Sequence, residues 1–192
     1  MAESTLARTR LKLSLLFAVF CAPLIAAYLV YFVWPPHSAM NYGELLHAAP
    51  LPDPVLLTPE GNELRLSALK GKWMLLQVDS GDCNAYCLQK LHSMRQVRAA
   101  LGKDRDRLER VYLIDDSKAL QAAIGSEYEG TRMARATAGA LMRQLAPHDG
   151  DARSYIYLVD PLGNLVLRYP GIADNAKMLK DLQRLLRASL IG

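Results

Sequence analysis

The sequence predicts an α/β layer fold, a central mixed sheet flanked by helices, preceded by one N-terminal transmembrane helix. Three observations carry that prediction. The 22 residues from Leu13 to Trp34 contain no charged side chain. Beyond them, short continuous apolar runs alternate with stretches whose apolar residues recur every three or four positions, as buried strands alternating with amphipathic helices do. Near the C-terminus, "SYIYLVDPLGNLVLRYP" (154–170) reads as a β-hairpin with its turn at Asp160–Asn164.

At about 1.5 Å rise per residue, the uncharged stretch spans roughly 33 Å, enough to cross the apolar core of a bilayer. Arg8, Arg10 and Lys12 precede it, and no Lys or Arg follows until Arg65. By the positive-inside rule the N-terminus is cytoplasmic and everything after Pro35 is exported, which predicts a single-pass protein of the bacterial inner membrane with a periplasmic C-terminal domain. Tyr28, Tyr31, Phe32 and Trp34 crowd the far end, where aromatic rings suit the headgroup zone. A cleavable signal peptide is the competing reading, but its apolar region is about 7–15 residues long and ends in a small-residue site. Here the best such site, Ile25-Ala26-Ala27, lies inside the run. The expected organisation is a cytoplasmic N-terminus at 1–12, the span at 13–34, a linker at 35–50 and an exported domain at 51–192.

Net charge is +4 over 192 residues; the part after the span carries 20 Lys and Arg against 18 Asp and Glu, close to balance. A nucleic-acid partner needs a concentrated basic face, and Arg105, Arg107 and Arg110 instead interleave with Asp104, Asp106 and Glu109. Nucleic-acid binding is therefore excluded. Of three cysteines, Cys21 lies in the span and acts there as a small apolar residue. Cys83 and Cys87 form one close pair in an oxidising compartment, where neighbouring thiols become a disulfide unless a reductase or a metal prevents it.

Along the exported part, residues 35–54 hold five prolines and little periodicity, with "NYGELL" (41–46) as a short helical turn. "VLLTPEGNELRLSALKGKW" gives two short strands around Glu60-Gly61-Asn62, then a helical turn ending at Gly71. "WMLLQVD" (73–79) is a central strand buried on both faces. Leu88, Leu91, Met94, Val97 and Leu101 mark a helix over 84–101. "LERVYLIDD" (108–116) is a second buried strand. The Ala-rich 117–145 predicts helix interrupted near Gly125–Gly130. After the hairpin, "DNAKMLKDLQRLLRASL" is an amphipathic helix with Met178, Leu179, Leu182, Leu185, Leu186 and Leu190 on one face and Asp174 as N-cap.

The chemistry concentrates in "LLQVDSGDCNAYCLQK" (75–90), where a buried strand runs through a polar turn into a helix. That junction places Cys83 near the helix N-terminus, whose partial positive charge favours a thiolate, with Cys87 one turn later on the same face. Spacing i,i+4 brings the Cα atoms within disulfide reach. Two thiolates also suit a soft ion such as Cu(I), whereas zinc wants four ligands. A disulfide across four residues closes too small a loop to stabilise much through chain entropy. Redox pair, metal clip, structural staple and incidental thiols all remain open on the residues alone.

"LPDPVLL…G…LRLSALKGKWMLLQVDSGDCNAYC" resembles the opening of thioredoxin-fold membrane-anchored proteins. The C-x-x-x-C after the central strand, with the later "YIYLVDPLGNLV", resembles the Sco family of cytochrome c oxidase assembly proteins over residues 51–190. The resemblance implies a thioredoxin-like fold. It also implies that Cys83 and Cys87 act as a redox pair or copper ligands, with copper as Cu(I). The client it implies is a cytochrome c oxidase subunit, or another copper or thiol protein, in maturation of the oxidase's copper centre. In the redox version Cys83 attacks and Cys87 resolves the mixed disulfide.

The chain departs from the family pattern. The family histidine lies five residues before the Tyr of its Tyr-Leu pair, and that position here is Ala152; Asn84 and Leu88 stand where the family's prolines follow its cysteines. His148, in "PHDGDARS", is the candidate third copper ligand. His92 points about 140° away from Cys87 around the helix, and His37 and His47 fall in the expected linker. Met94 reads as core, and Asp79, Asp82, Asp115 and Asp116 read either as tuning groups or as solvated carboxylates at strand ends. Ser80-x-x-Cys83 faintly resembles a peroxiredoxin site, but Leu76 occupies the place of its proline. Thioredoxin-type reductases use C-x-x-C facing a cis-proline, and here Ala152 precedes Arg153-Ser154. The expected activity is thus thiol–disulfide exchange, Cu(I) transfer, or both. The alternative is a non-catalytic anchored scaffold with vestigial cysteines.

Overall fold

A computed structural model describes residues 2–33, 41–136, 139–146 and 150–189; Trp34, His37, His148 and Leu190 lie outside them. The chain divides into two units, Met1–Met40 and Asn41–Gly192. In the first, helix α1 spans Ala2–Val33 with Pro23 inside it. Its stretch Lys12–Val30, 19 residues with mean hydropathy 2.4, is long and apolar enough to cross a membrane.

The second unit is one mixed eight-stranded sheet. Its strands are β1 (Glu44–Pro50), β2 (Leu56–Leu57), β3 (Glu63–Leu64), β4 (Trp73–Asp79), β5 (Leu108–Ile114), β6 (Thr131–Arg135), β7 (Tyr155–Val159) and β8 (Asn164–Pro170), in the order β1-β8-β7-β4-β5-β6-β2-β3. Strands β4, β5 and β6 run parallel, in register Trp73↔Leu108 and Arg110↔Thr131; β7 joins β4 antiparallel at Met74↔Val159. Every residue of β4 and of β5 is buried, as their mainly apolar sequences require for strands covered on both faces.

Helices α2 (Ala85–Ala100), α3 (Ala122–Glu127), α4 (Ala140–Leu145) and α5 (Asn175–Ala188) complete the layers. One core combines Leu91, Met94 and Val97 of α2 with Ile124, Met178, Leu182 and Leu186, packed on Leu75, Tyr112 and Ile156. The other, across the sheet, combines Leu66, Leu141 and Leu145 with Leu76, Val78 and Tyr157. Period-2 alternation along the strands thus feeds two cores, and the fold is thioredoxin-like with helices on both faces.

Two stretches differ from expectation. Residues 41–46 form no helical turn. They lead into and begin β1, which pairs antiparallel with β8, Glu44↔Arg168. That strand is mostly exposed, so it lacks the apolar alternation by which strands are recognised, and it forms because the outer edge of β8 needs a hydrogen-bonding partner. Among the described residues of 117–145, only α3 and α4 are helical; between them lies β6, which extends the parallel sheet beside β5. Here strand pairing overrides local helix propensity.

Candidate functional site

Strand β4 carries Gln77 and ends at Asp79, with Ser80 just beyond it, and every one of these is buried. The chain then turns sharply: the Cys83 backbone N–H donates to the Ser80 carbonyl at 3.0 Å. Cys83 sits at φ +28° in the left-handed region, where a side-chain-bearing residue is strained. Asn84, not Cys83, is the N-cap of α2. Its side chain accepts from the Cys87 backbone N–H at 3.0 Å, satisfying one of the orphan donors of the first turn. Cys83 and Cys87 are joined in a disulfide with Cα atoms 5.2 Å apart. Both are buried, at 2% and 0% exposure.

Two polar side chains from the sheet meet Cys87. The Gln77 Nε2 donates to Cys87 Sγ at 3.6 Å, and the Tyr112 Oη lies 3.6 Å from the same sulfur while donating to the Ser80 carbonyl. Burial pushes the Tyr112 phenol well above its ordinary range. One turn beyond Cys87, Lys90 is wholly buried against Asp79, Nζ to Oδ2 2.9 Å, and donates to the Val78 carbonyl at 3.0 Å and to that of Arg153. Desolvation pulls the Lys90 ammonium below its usual value, against the opposing pull of Asp79.

A strap of chain after β5, residues 116–121, is fastened onto the cysteine turn. The Asp116 carboxylate accepts from the Gly81 N–H at 3.0 Å and from the Ser80 hydroxyl, which hold it below the usual carboxylate range. Lys118 pairs with Asp82 and lowers that carboxyl too. Gln121 donates to the Asp82 carbonyl. Arg135 holds the strap from behind, donating to the Asp116 and Lys118 carbonyls at 2.9 and 3.0 Å. Leu120 packs onto the core that contains both cysteines. Gly81 is required at the closest approach, because any Cβ there collides with the Lys118 carbonyl.

The family described as "Transmembrane-like, thioredoxin-like, C-terminal domain" matches residues 73–189, which run from β4 through the cysteine turn to the end of α5. The chain belongs to that family. No curated protein matches it by sequence. Among solved structures, this thioredoxin-like domain is similar to yeast Sco1, with a TM-score of 0.59 at 16% identity over 72% of this chain and 95% of that one. It is similar also to Bradyrhizobium japonicum ScoI with copper bound (0.52, 21%, 71% and 99%). A third is BsSco, a Sco-family cytochrome c oxidase assembly protein in which a disulfide switch was identified (0.54, 13%, 76% and 98%). At these identities the likeness is one of fold.

Cys83 and Cys87 are brought together. Ala152, at the position expected for histidine, is buried, and its neighbour Arg153 forms a two-pronged ion pair with Asp115. His47 and His92 are exposed and Met94 is core. Asp79, Asp82, Asp115 and Asp116 are all engaged in ion pairs around the turn. For copper, the two sulfurs are the soft donors, and no group of three His, Cys, Asp or Glu fit to hold a metal occurs among the described residues. The described residues therefore do not complete a three-ligand copper site.

Gln77, Lys90 and Tyr112 were not singled out from the sequence. A signal existed for the first two: Gln77 is the one amide in the strand, set among apolar neighbours, and Lys90 stands at i+3 from Cys87, beside the apolar stripe of α2. Tyr112 gave none, because an aromatic residue in a buried strand reads as core.

Proposed function

We propose that the chain is a membrane-anchored, Sco-like thiol–disulfide exchange protein that assists maturation of the copper centre of a respiratory cytochrome c oxidase. In this reading α1 anchors it in the bacterial inner membrane, with the Arg8, Arg10 and Lys12 end cytoplasmic and the thioredoxin-like domain periplasmic. A linker precedes that domain. The observation that carries the proposal is the Cys83–Cys87 disulfide at the junction of the central strand with α2, in a fold shared with Sco structures.

The exchange balances without a further reagent. A client thiolate attacks Cys83 Sγ, the Cys83–Cys87 bond breaks, and its electron pair passes to Cys87. A second client thiolate then attacks the mixed disulfide and releases Cys83, leaving an oxidised client and a reduced pair; the reverse sequence reduces a client disulfide, with Cys83 attacking and Cys87 resolving. Cu(I) as cargo of the two thiolates is the subordinate form of this reading, since the described residues supply no third ligand. The second reading is a scaffold whose cystine is structural. It is favoured by the burial of both sulfurs, because reactive cysteines are ordinarily partly exposed.

Equilibrating the full chain with glutathione buffers separates the two. A pair that cycles between dithiol and disulfide within the periplasmic range supports exchange; a pair locked oxidised throughout, in a chain whose Cys83→Ser/Cys87→Ser variant still supports oxidase assembly, establishes the scaffold. Titrating the reduced chain with Cu(I) against a competing chelator tests the cargo form, with weak binding expected.

A further inference from the structure

We propose that Gln77 and Tyr112 are positioning residues that make Cys87 the leaving sulfur of the pair, by directing two hydrogen-bond donors at the atom where charge appears when the disulfide opens. The inference rests on the exchange reading and adds to it the residues that set the direction of attack.

Gln77 is the starting point. It lies in the middle of the central strand with no exposure, its Oε1 has no partner among the described residues, and its Nε2 meets Cys87 Sγ. An amide there is a burden on stability, since a buried unpaired carbonyl oxygen keeps its desolvation cost, and the flanking residues Leu75, Leu76 and Val78 show what the strand otherwise holds. A disulfide sulfur is a poor acceptor for that amide. A thiolate is a strong one, because bonds to an ionised acceptor are roughly twice as strong. The contact therefore gains most of its strength only after the sulfur–sulfur bond has broken, the condition for stabilising the transition state rather than the resting protein.

Tyr112 brings a second polar group to the same sulfur from the neighbouring strand. Gln77 and Tyr112 are paired in register across β4 and β5, and their polar groups converge on one sulfur at equal distances of 3.6 Å. The Tyr112 hydroxyl is engaged with the Ser80 carbonyl in the oxidised protein and turns to the sulfur when a thiolate forms. Cys83 is treated differently: among the described residues no hydrogen-bond donor meets its sulfur, and its backbone is strained at φ +28°. An incoming thiolate that attacks Cys83 sends the electron pair to the sulfur that meets the Gln77 amide and lies beside the Tyr112 hydroxyl; attack at Cys87 sends it to a sulfur that meets neither. The first route is favoured.

The test uses the full chain in detergent, with Gln77→Leu and Tyr112→Phe, and reads two constants. These are the rate at which dithiothreitol opens the disulfide and the equilibrium constant of the pair against glutathione. Each substitution is expected to slow opening about tenfold and to shift the equilibrium several-fold towards the disulfide, while Gln77→Leu melts no lower than the parent. A purely structural role moves the melting temperature and leaves the redox equilibrium where it was. Should Gln77→Leu fail to fold, Tyr112→Phe, which removes a single oxygen, reads the same two constants. A parent disulfide that opens normally, with both variants matching it, overturns this assignment alone. A parent disulfide that no thiol opens overturns the exchange reading and this assignment together.

Discussion

Arg153 grips Asp115 through two parallel bonds, Nε to Oδ2 at 2.8 Å and Nη2 to Oδ1 at 2.7 Å, beside Ala152, which stands at the position of the Sco-family histidine. The pair ties the segment before β7 to the end of β5, across the mouth of β4. Its partners raise the Arg153 guanidinium further above its already high value, the hydrogen bonds to Asp115 foremost. Because Arg153 is 37% exposed at its side chain, solvent screens much of that interaction. Arg153→Ala is expected to cost about 1 kcal/mol, read by urea unfolding, with Arg153→Lys recovering only part because it cannot reproduce the fork.

The Asp79–Lys90 pair is a different case. Both side chains are within 5% of complete burial, so removing one strands the other without a counter-charge. Lys90→Met is expected to destabilise by about 3–5 kcal/mol. Asp79→Asn/Lys90→Met is expected to recover at least half of that loss in the same urea measurement. Additive losses would show that the two side chains are not a coupled pair.

The strap makes opening of the disulfide sensitive to acid. Asp116 and Asp82 have carboxyls lowered in the folded protein from the usual 3.8. Their contribution is therefore fully present above pH 3.8 and is lost as the pH falls below it through the lowered values. Reduction by a phosphine, which needs no thiolate, is expected to accelerate on descending through that window. In Asp116→Asn the neutral-pH rate is expected to be already raised and the acid acceleration smaller.

Gly81 gives a steric counterpart. A methyl group there meets the Lys118 carbonyl, so Gly81→Ala must lift the strap from the cysteine turn. The expected cost is about 1–3 kcal/mol, together with faster phosphine reduction at neutral pH. Equal destabilisation without faster reduction would show that the strap does not guard the cystine.

Much of the domain was legible because its strongest elements are also its most buried. "WMLLQVD" became β4 from end to end, and the apolar stripe of α5 with Asp174 as N-cap follows the sequence, the carboxylate accepting from the N–H groups of Ala176 and Lys177. What failed to show were elements defined by their neighbours. The strand β6, "TRMAR", carries two arginines and an alanine and is a strand only because β5 offers an edge. Among the candidate site residues, the cysteines were visible from spacing. The groups around Cys87 were not, since Gln77 is 10 and Tyr112 25 residues distant in sequence, and periodicity carries no information on which buried side chains meet.

The late addition of β1 sets a boundary for anyone cutting the protein. Tyr42 and Gly43, just before it, donate both their backbone N–H groups to the buried Asp181 carboxylate, at 2.7 and 3.0 Å, and the Tyr42 ring stacks on Tyr169. A fragment starting at Leu51 leaves that carboxylate with neither donor and bares the whole flank of β8, an open ladder on which a second molecule can stack. A fragment starting at Asn41 keeps both closed. The ten residues 41–50 therefore decide whether a fragment carries a closed or an open sheet edge.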